Sequence, residues 1–193
     1  MKYLLIILTI FVYSSPLVAQ VKLTPGAELL FKQTKSTLST IEKNKLFSKT
    51  GFVLSPDKKQ FLMSDDPAVA AYPFSVAVYP ADLNNDGKEE IALLYGNESI
   101  SGKAGSNIVL FIKDKTGEFQ QQFGFSGTMP MVFSTASGKF PDLLIGGPGE
   151  SFPVWRWNGK DYVYHHTISQ ARLAASKPVS LAVISKTYCS KIH

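Results

Sequence analysis

The chain has 193 residues, of which 45% are hydrophobic and 18% charged, and its formal net charge is +5. This composition excludes an intrinsically disordered chain, which is poor in apolar residues and rich in charge. The length suits one domain with a hydrophobic core, since single domains commonly have about 100 to 150 residues.

The first nineteen residues have the order of a secretory signal peptide. Lys2 precedes an uncharged apolar run over residues 3–13, and Leu17-Val18-Ala19 closes the segment. The run is shorter than the roughly 20 apolar residues of a membrane span. We predict a signal peptide over residues 1–19 and a secreted, periplasmic or cell-surface bacterial protein that is not integral to the membrane after cleavage. An uncleaved membrane anchor is the alternative.

Cysteine usage agrees with this compartment. Cys189 is the only cysteine, so the sequence permits neither an intrachain disulfide nor a cluster of thiolate metal ligands. A eukaryotic secreted domain of this size more often carries disulfides, which favours a bacterial exported protein.

Positive charge is concentrated near the N-terminus. Residues 20–59 carry eight Lys and three acids, whereas residues 60–193 carry eleven Lys or Arg and twelve acids. Aromatic residues do not alternate with these lysines, so we expect a solvated helix face rather than a nucleic-acid surface. We divide the mature chain into a basic helical arm with the start of a hairpin (20–59) and a β-rich region (60–193), folding together as one unit.

The arm is predicted to contain one helix over residues 25–45. Thr24 and Pro25 are typical of a helix start, and Leu30, Thr34, Leu38 and Ile41 recur at helical spacing. Lysines are expected on the outward face, at Lys32, Lys35 and Lys43. Residues 52–54 and 61–63 flank the turn Ser55-Pro56-Asp57 and predict a hairpin.

From residue 73 onwards, short apolar stretches alternate with Gly and Pro. Eight strands are predicted, over residues 74–80, 90–96, 107–114, 118–125, 129–135, 142–147, 153–159 and 161–168. Lys115-Thr116-Gly117 and Asn158-Gly159 are hairpin signals. For the tail after Pro178 we predict a helix, with a closing strand as the alternative.

The strands form an internal repeat. The first copy begins at residue 74 and the second at residue 129, and Glu90 aligns with Asp142. Each copy reads as strand, loop, acid with apolar strand, strand, turn and strand, which is the content of one four-stranded β unit.

A metal site is predicted in residues 82–90, hereafter the 82–90 loop. Oxygen donors fall at alternate positions, and calcium prefers six to eight oxygen ligands. The candidate ligands are the side chains of Asp82, Asn84, Asp86 and Glu90 and the main-chain carbonyl of Lys88. The predicted cofactor is therefore structural Ca²⁺, since magnesium prefers water-rich octahedral sites.

Two other interpretations of this loop are considered. An EF-hand requires a bidentate Glu at position twelve, where the sequence has Leu93, so it is excluded. A metal-free hairpin turn at Asn85-Asp86-Gly87 is possible, but turn chemistry alone does not require the other oxygen donors. Leu83 is expected in the core and Glu89 in solvent.

The motif DLNNDGKEEIALLYG resembles the calcium-loop portion of FG-GAP and VCBS repeats, the units of integrin-α-type β-propellers. FPDLLIGGPG resembles the other half of that signature, and the resemblance covers roughly residues 74–165. In the second copy only Ser137 and Asp142 could donate oxygen, so no second metal is expected. The resemblance implies antiparallel β-repeat units, here too few for a closed propeller. Together with the helix predicted from the arm, the expected fold class is mainly β with an N-terminal helix.

No catalytic or cofactor-binding residue is predicted. Ser, His and Asp occur, but without a G-x-S-x-G elbow, and Gly146-Gly147-Pro148-Gly149 lacks the Lys and Ser/Thr of a phosphate-binding loop. His165 and His166 should face opposite sides of a strand and not chelate one ion.

An aromatic hairpin is the remaining candidate for a binding surface. Trp155 and Trp157 should share one strand face, and Tyr162 and Tyr164 should share a face of the partner strand. We expect this ladder to be buried, with Arg156 facing outward; an exposed ladder would bind sugars or a peptide.

Three functions are therefore considered. The first is a non-enzymatic, exported, calcium-stabilised β-repeat module for a protein or glycan partner. The second is an inhibitor or immunity protein that inserts a mobile loop at residues 97–107 into an enzyme. The third is a hydrolase on a calcium-bearing β fold. The sequence names neither the partner nor the oligomeric state.

Overall fold

A computed structural model describes residues 21–63, 71–134, 139–146 and 152–192. In these ranges the chain forms three antiparallel sheets and five α-helices, and no sheet closes into a barrel, so the predicted mainly β class is confirmed. No helix within these ranges has the length and apolarity that a membrane crossing requires. The predicted signal peptide and Ser137 lie outside the described residues.

The arm contains two helices, α1 (Pro25–Phe31) and α2 (Thr40–Thr50), so the prediction of one helix over 25–45 is wrong. Thr24 caps α1 as expected. Ser39 starts a new helix, because its hydroxyl and the Glu42 carboxylate form a capping box. Ile41, assigned to the inner face of a single helix, is 52% exposed.

The predicted hairpin after the arm is confirmed. It consists of β1 (Val53–Leu54) and β2 (Phe61–Leu62), which pair antiparallel. The Ser55 hydroxyl accepts from the Gln60 N–H (3.0 Å) and donates to the Asp57 carboxylate (2.6 Å), which closes the turn.

The first copy folds as a four-stranded meander. Its strands follow chain order: β3 (Val76–Ala81), β4 (Glu90–Tyr95), β5 (Asn107–Lys113) and β6 (Phe119–Ser126). Between β4 and β5 lie α3 (Glu98–Ser101) and a 3-10 turn (Gly102–Ala104). The stretch predicted as a mobile, exposed loop is thus helical, and Ser101 in it is buried.

The second copy forms the larger sheet, in the order β10-β9-β8-β7-β11. Its strands are β7 (Met131–Val132), β8 (Leu143–Leu144), β9 (Phe152–Trp157), β10 (Tyr162–Ile168) and β11 (Val179–Ser180). Helix α4 (Gln170–Ser176) precedes β11 and α5 (Leu181–Cys189) follows it. The helix predicted for the tail is confirmed, but it begins three residues after Pro178.

The sheet of the first copy is buried on both faces. On one face Ile91 and Phe111 pack with Leu46 of the arm and Phe61 of the hairpin. On the other face lies a second core that joins the two copies, and its members include Leu83, Ile108, Leu110, Leu143 and Tyr162. Full burial of such a side chain stabilises by about 1.5 to 3 kcal/mol. The expected burial of Leu83 is confirmed, and it anchors the 82–90 loop between the copies.

Candidate metal centre

The 82–90 loop runs from the end of β3 at Ala81 to Glu90, the first residue of β4. Two residues in it have positive φ, Asn85 at 58° and Gly87 at 81°. Glycine adopts such angles without a steric penalty and asparagine tolerates them. The chain can therefore reverse direction twice within a few residues.

Four of the five predicted ligands, the side chains of Asp82, Asn84, Asp86 and Glu90, accept hydrogen bonds from the backbone of the loop itself. The Asp86 N–H donates to Asp82 Oδ1 (3.0 Å) and Asn84 Oδ1 (3.1 Å), and the Gly87 N–H donates to Asp82 Oδ2 (2.9 Å). Asp86 Oδ1 accepts from the Lys88 N–H (2.8 Å). The loop is thus wound around oxygens at alternate positions.

Glu90 lies at the inner end of this loop and is 3% exposed. Its Oε2 accepts a hydrogen bond from the Leu83 N–H at 2.7 Å. Burial raises the pKa of Glu90 to about 8; this hydrogen bond opposes the rise, and the nearby carboxylates of Asp86, Asp82 and Glu89 add to it. At neutral pH Glu90 is therefore mostly protonated, so the negative corner that Asp82 and Asp86 form here gains a third charge only when a bound cation displaces the Glu90 proton.

The donor set has the chemistry that a hard cation requires, since every candidate atom is an oxygen and each carboxylate oxygen has a second lone pair. Among the described residues, however, no three His, Cys, Asp or Glu side chains are grouped closely enough to hold a metal ion. The loop backbone is instead the partner of Asp82, Asn84 and Asp86. Metal binding would need these side chains to turn inward.

In the described part of the chain, the acids of this corner form no ion pair with a basic side chain. Three ion pairs occur in the described part of the chain, Lys45–Glu118, Lys113–Glu42 and Arg156–Asp142. Asp82, Asp86 and Glu90 take part in none of them. A bound cation would supply the missing positive charge.

The position predicted for Glu89 from the sequence is wrong. It was expected in solvent but is 2% exposed. Its Oε2 accepts from the Ser36 hydroxyl (3.0 Å), the Thr37 N–H (2.7 Å) and the Thr37 hydroxyl (2.6 Å). Its Oε1 has no hydrogen-bond partner among the described residues. The break between α1 and α2 explains the error, because it places residues 36–37 over β4; the Ser39-x-x-Glu42 capping box was the available signal.

In the second copy, the carboxylate of Asp142 is paired with a side chain of the protein itself. Arg156 donates to Asp142 through Nε (2.9 Å to Oδ1) and through one terminal nitrogen (2.6 Å to Oδ2), a bidentate pair. The Arg156 side chain is 50% exposed, in agreement with its predicted outward direction. Asp142, predicted as one of only two oxygen donors here, is thus occupied by a guanidinium.

The aromatic hairpin pairs as predicted, with Trp157 opposite Tyr162 and Trp155 opposite Tyr164. Its burial is uneven: Tyr162 is 3% exposed and Tyr164 is 57% exposed, so the expectation of a buried ladder holds only in part. Both tryptophans are half-buried. Burial, and after it the nearby carboxylates of Glu90 and Asp142, raises the pKa of the Tyr162 hydroxyl, which donates to the Pro141 carbonyl (2.8 Å).

The two histidines differ from the prediction. A bulge in β10 between Tyr164 and His166 interrupts the alternation of side chains. The rings of His165 and His166 consequently lie 4.7 Å apart, rather than on opposite faces of the strand.

Comparison of the chain with protein-family models, with curated proteins and with solved structures found no match. The resemblance of the two copies to FG-GAP and VCBS repeats therefore rests on the motifs themselves.

Proposed function

We propose that this protein is an exported, calcium-stabilised β-repeat module that acts as a non-enzymatic interaction domain. The observation that carries the proposal is the negative corner at the 82–90 loop. Asp82 and Asp86 lie close enough to buried Glu90 to raise its pKa, and none of these three acids takes part in an ion pair in the described part of the chain. Export is inferred from the signal-like residues 1–19.

Each candidate ligand has a separate task in this proposal. Asp82 and Asp86 provide carboxylate oxygens, Asn84 an amide oxygen and Lys88 its main-chain carbonyl. Glu90 completes the set from the rigid start of β4, so that the site bridges a loop and a strand. Calcium, when bound, supplies two positive charges that offset this group of acids.

Loop closure is how the metal would stabilise the fold. Leu83 and Glu90 hold the two ends of the loop in the core that joins the copies, and the Leu83 N–H already donates to Glu90. Neutralising the carboxylates removes their repulsion at this junction. The metal is therefore structural, and the surface that it supports is the part that meets a partner.

Direct calcium binding to the mature protein tests the proposal by titration calorimetry. We expect one site with a dissociation constant of about 0.1 to 1 mM, as in extracellular modules. Asp86→Asn removes one charged ligand and should weaken binding at least tenfold. Binding by the wild type with unchanged affinity in Asp86→Asn would contradict the assignment of this loop, and no binding up to 10 mM calcium would contradict the calcium proposal.

Asp114 provides a matched control, because it organises the turn between β5 and β6 in a similar way. It accepts from the Thr116 N–H (2.8 Å), the Glu118 N–H (3.1 Å) and the Gln120 amide (2.7 Å). Hydrogen bonds from the side chains of Thr116 and Gln120 lower the pKa of Asp114 to about 2. Asp114→Asn should leave calcium affinity unchanged.

A further inference from the structure

Two cavities share one aromatic pair in their walls. Their volumes are about 670 Å³ and 870 Å³, and both are lined by Phe140 and Trp157, hereafter the aromatic ridge. The two ring centroids are 4.6 Å apart, and Tyr162 braces Trp157 at 5.5 Å. Because Tyr162 is itself buried, the indole is held in a fixed position while part of its surface faces the cavities.

The larger cavity is lined by four basic and four acidic side chains. Its basic residues are Lys88, Lys113, Lys115 and Lys160. Its acidic residues are Asp86, Glu90, Asp114 and Asp161. A ligand in this cavity meets the carboxylates of Asp86, Asp114 and Asp161 as well as the ammonium groups, and these carboxylates oppose the attraction of a polyanion to the lysines.

Amide groups add further hydrogen-bonding capacity, and some are fixed in place. Three consecutive glutamines line the same cavity, Gln120, Gln121 and Gln122. Gln120 donates to Asp114 (2.7 Å), and Gln122 accepts from the Tyr162 N–H (3.3 Å). A glutamine amide offers both donors and an acceptor, so these side chains retain groups for a ligand.

We propose that the aromatic ridge and its two cavities bind a neutral oligosaccharide. A sugar ring presents C–H groups that pack on an aromatic face, and hydroxyls that both donate to carboxylates and amides and accept from lysines. Two cavities of this size that share the ridge have room for several sugar units. A single-stranded nucleic acid could also stack on Trp157, but its phosphates would face the acids.

Oligosaccharide binding would give the proposed interaction module its class of ligand. It rests on the proposed function only in taking the protein to be a binding domain. Asp86 and Glu90 line the larger cavity and are also candidate calcium ligands. Sugar titrations are therefore run with calcium and with chelator. Titration of calcium chloride alone reports separately on the metal site, so failure of one proposal is distinguishable from failure of the other.

The test uses the mature protein and defined hexasaccharides of β-1,4-glucose, β-1,4-xylose, β-1,4-N-acetylglucosamine and α-1,4-glucose. Trp155→Phe provides a fluorescent reporter, because the chain has two tryptophans and Trp155 lines neither cavity. Saturable change in Trp157 emission with at least one neutral sugar, confirmed by calorimetry, is expected. Hexagalacturonate and dT6 serve as the anionic probes.

Variants then assign the binding to the ridge. Trp157→Ala should weaken binding at least tenfold, and Gln120→Ala, on an exposed strand position, at least threefold should Trp157→Ala fail to fold. Tyr164→Ala is the control, since Tyr164 is exposed and lines neither cavity, and it should bind normally. No binding of any neutral hexasaccharide at 10 mM, binding of the anionic probes only, or unchanged affinity in both ridge and cavity variants would overturn the proposal.

Discussion

In the first copy Glu90 starts β4 beside Ile112 of the next strand, whereas in the second copy Asp142 precedes β8 beside Arg156. The equivalence follows from the strand register, because Ile91 pairs with Phe111 and Leu143 pairs with Trp155. Each copy therefore has a carboxylate at the same point of its sheet. An apolar neighbour faces this carboxylate in the first copy and a guanidinium in the second.

The two copies therefore differ in how the equivalent carboxylate can be neutralised. Arginine is permanently charged and is part of the chain, so the Asp142 site is independent of ions in solution. Asp82, Asp86 and Glu90 of the first copy take part in none of the described ion pairs, and a metal would be present only when its concentration suffices. We therefore expect calcium-dependent stability in the first copy and calcium-independent stability in the second.

The largest effect on stability is expected from Glu89→Leu. This variant tests whether an acid in the 82–90 loop can stabilise the fold without a cation. Glu89 accepts three hydrogen bonds from residues 36–37, and its loss would leave buried donors unpaired. We expect the free energy of unfolding to fall by about 3 kcal/mol. Urea unfolding measures this free energy, and calcium should still increase it in the variant.

Glu89→Gln is the matched control for that substitution. It keeps one acceptor oxygen for residues 36–37, so its effect on the unfolding free energy should be about 1 kcal/mol or less. Equal stability of Glu89→Leu and the wild type would show that these hydrogen bonds do not hold the arm on the first copy.

A smaller effect is expected from Arg156→Met, which removes the internal cation of the second copy. Because the pair is partly exposed, the Tm should fall by only about 2 to 4 °C. The fall should be the same in calcium and in chelator, as measured by circular dichroism. Arg172→Met, an exposed arginine outside the described ion pairs, should leave the Tm unchanged. A fall in the Tm in only one of the two buffers would contradict the calcium-independent stability expected for the second copy.

The smallest effect concerns Glu42, which ties the arm to the first copy without calcium. Partial burial acts to raise the pKa of Glu42, but hydrogen bonds from Lys113 and from the backbone and hydroxyl of Ser39 outweigh it and lower the pKa from 4.5 to about 2. Protonation is thus harder in the folded state. The contribution to stability is complete above pH 4.5 and is lost as the pH falls through about 2.

Glu42→Gln should therefore lower the unfolding free energy by about 1 kcal/mol at pH 7, a value reduced by solvent screening of this part-exposed pair. The difference from the wild type should shrink below pH 4.5 and vanish near pH 2. Chemical unfolding at several pH values measures it. A difference that grows on acidification would contradict the assigned direction of the pKa shift.

Much of the β framework could be predicted from the sequence, because its strands are short apolar runs separated by turn residues. Gly117 and Gly159 have positive φ at the two hairpins that their sequence indicated. The pairing of Trp157 with Tyr162 followed from strand alternation alone. These features depend on local chemistry, which a single sequence contains.

The sequence-based predictions were wrong where a helix cap, a tertiary contact or a β-bulge changed the structure that the local pattern indicated. Helical spacing continued across residues 32–39, but the Ser39 capping box ended that continuity. The burial of Glu89 depends on a tertiary contact with Thr37, fifty-two positions earlier in the chain. The bulge before His166 changes the strand period without a Gly or Pro to signal it.

Thermal unfolding of the mature protein in 10 mM calcium chloride and in chelator measures whether calcium stabilises the folded state, with 10 mM magnesium and matched ionic strength as controls. A dissociation constant of about 0.1 to 1 mM would stabilise the folded state by about 1.4 to 2.7 kcal/mol. We expect the Tm to rise by about 3 to 10 °C in calcium and less in magnesium. In Asp86→Asn the rise should be largely lost, whereas in Arg156→Met it should be retained. The same Tm for the wild type in calcium and in chelator would contradict the account.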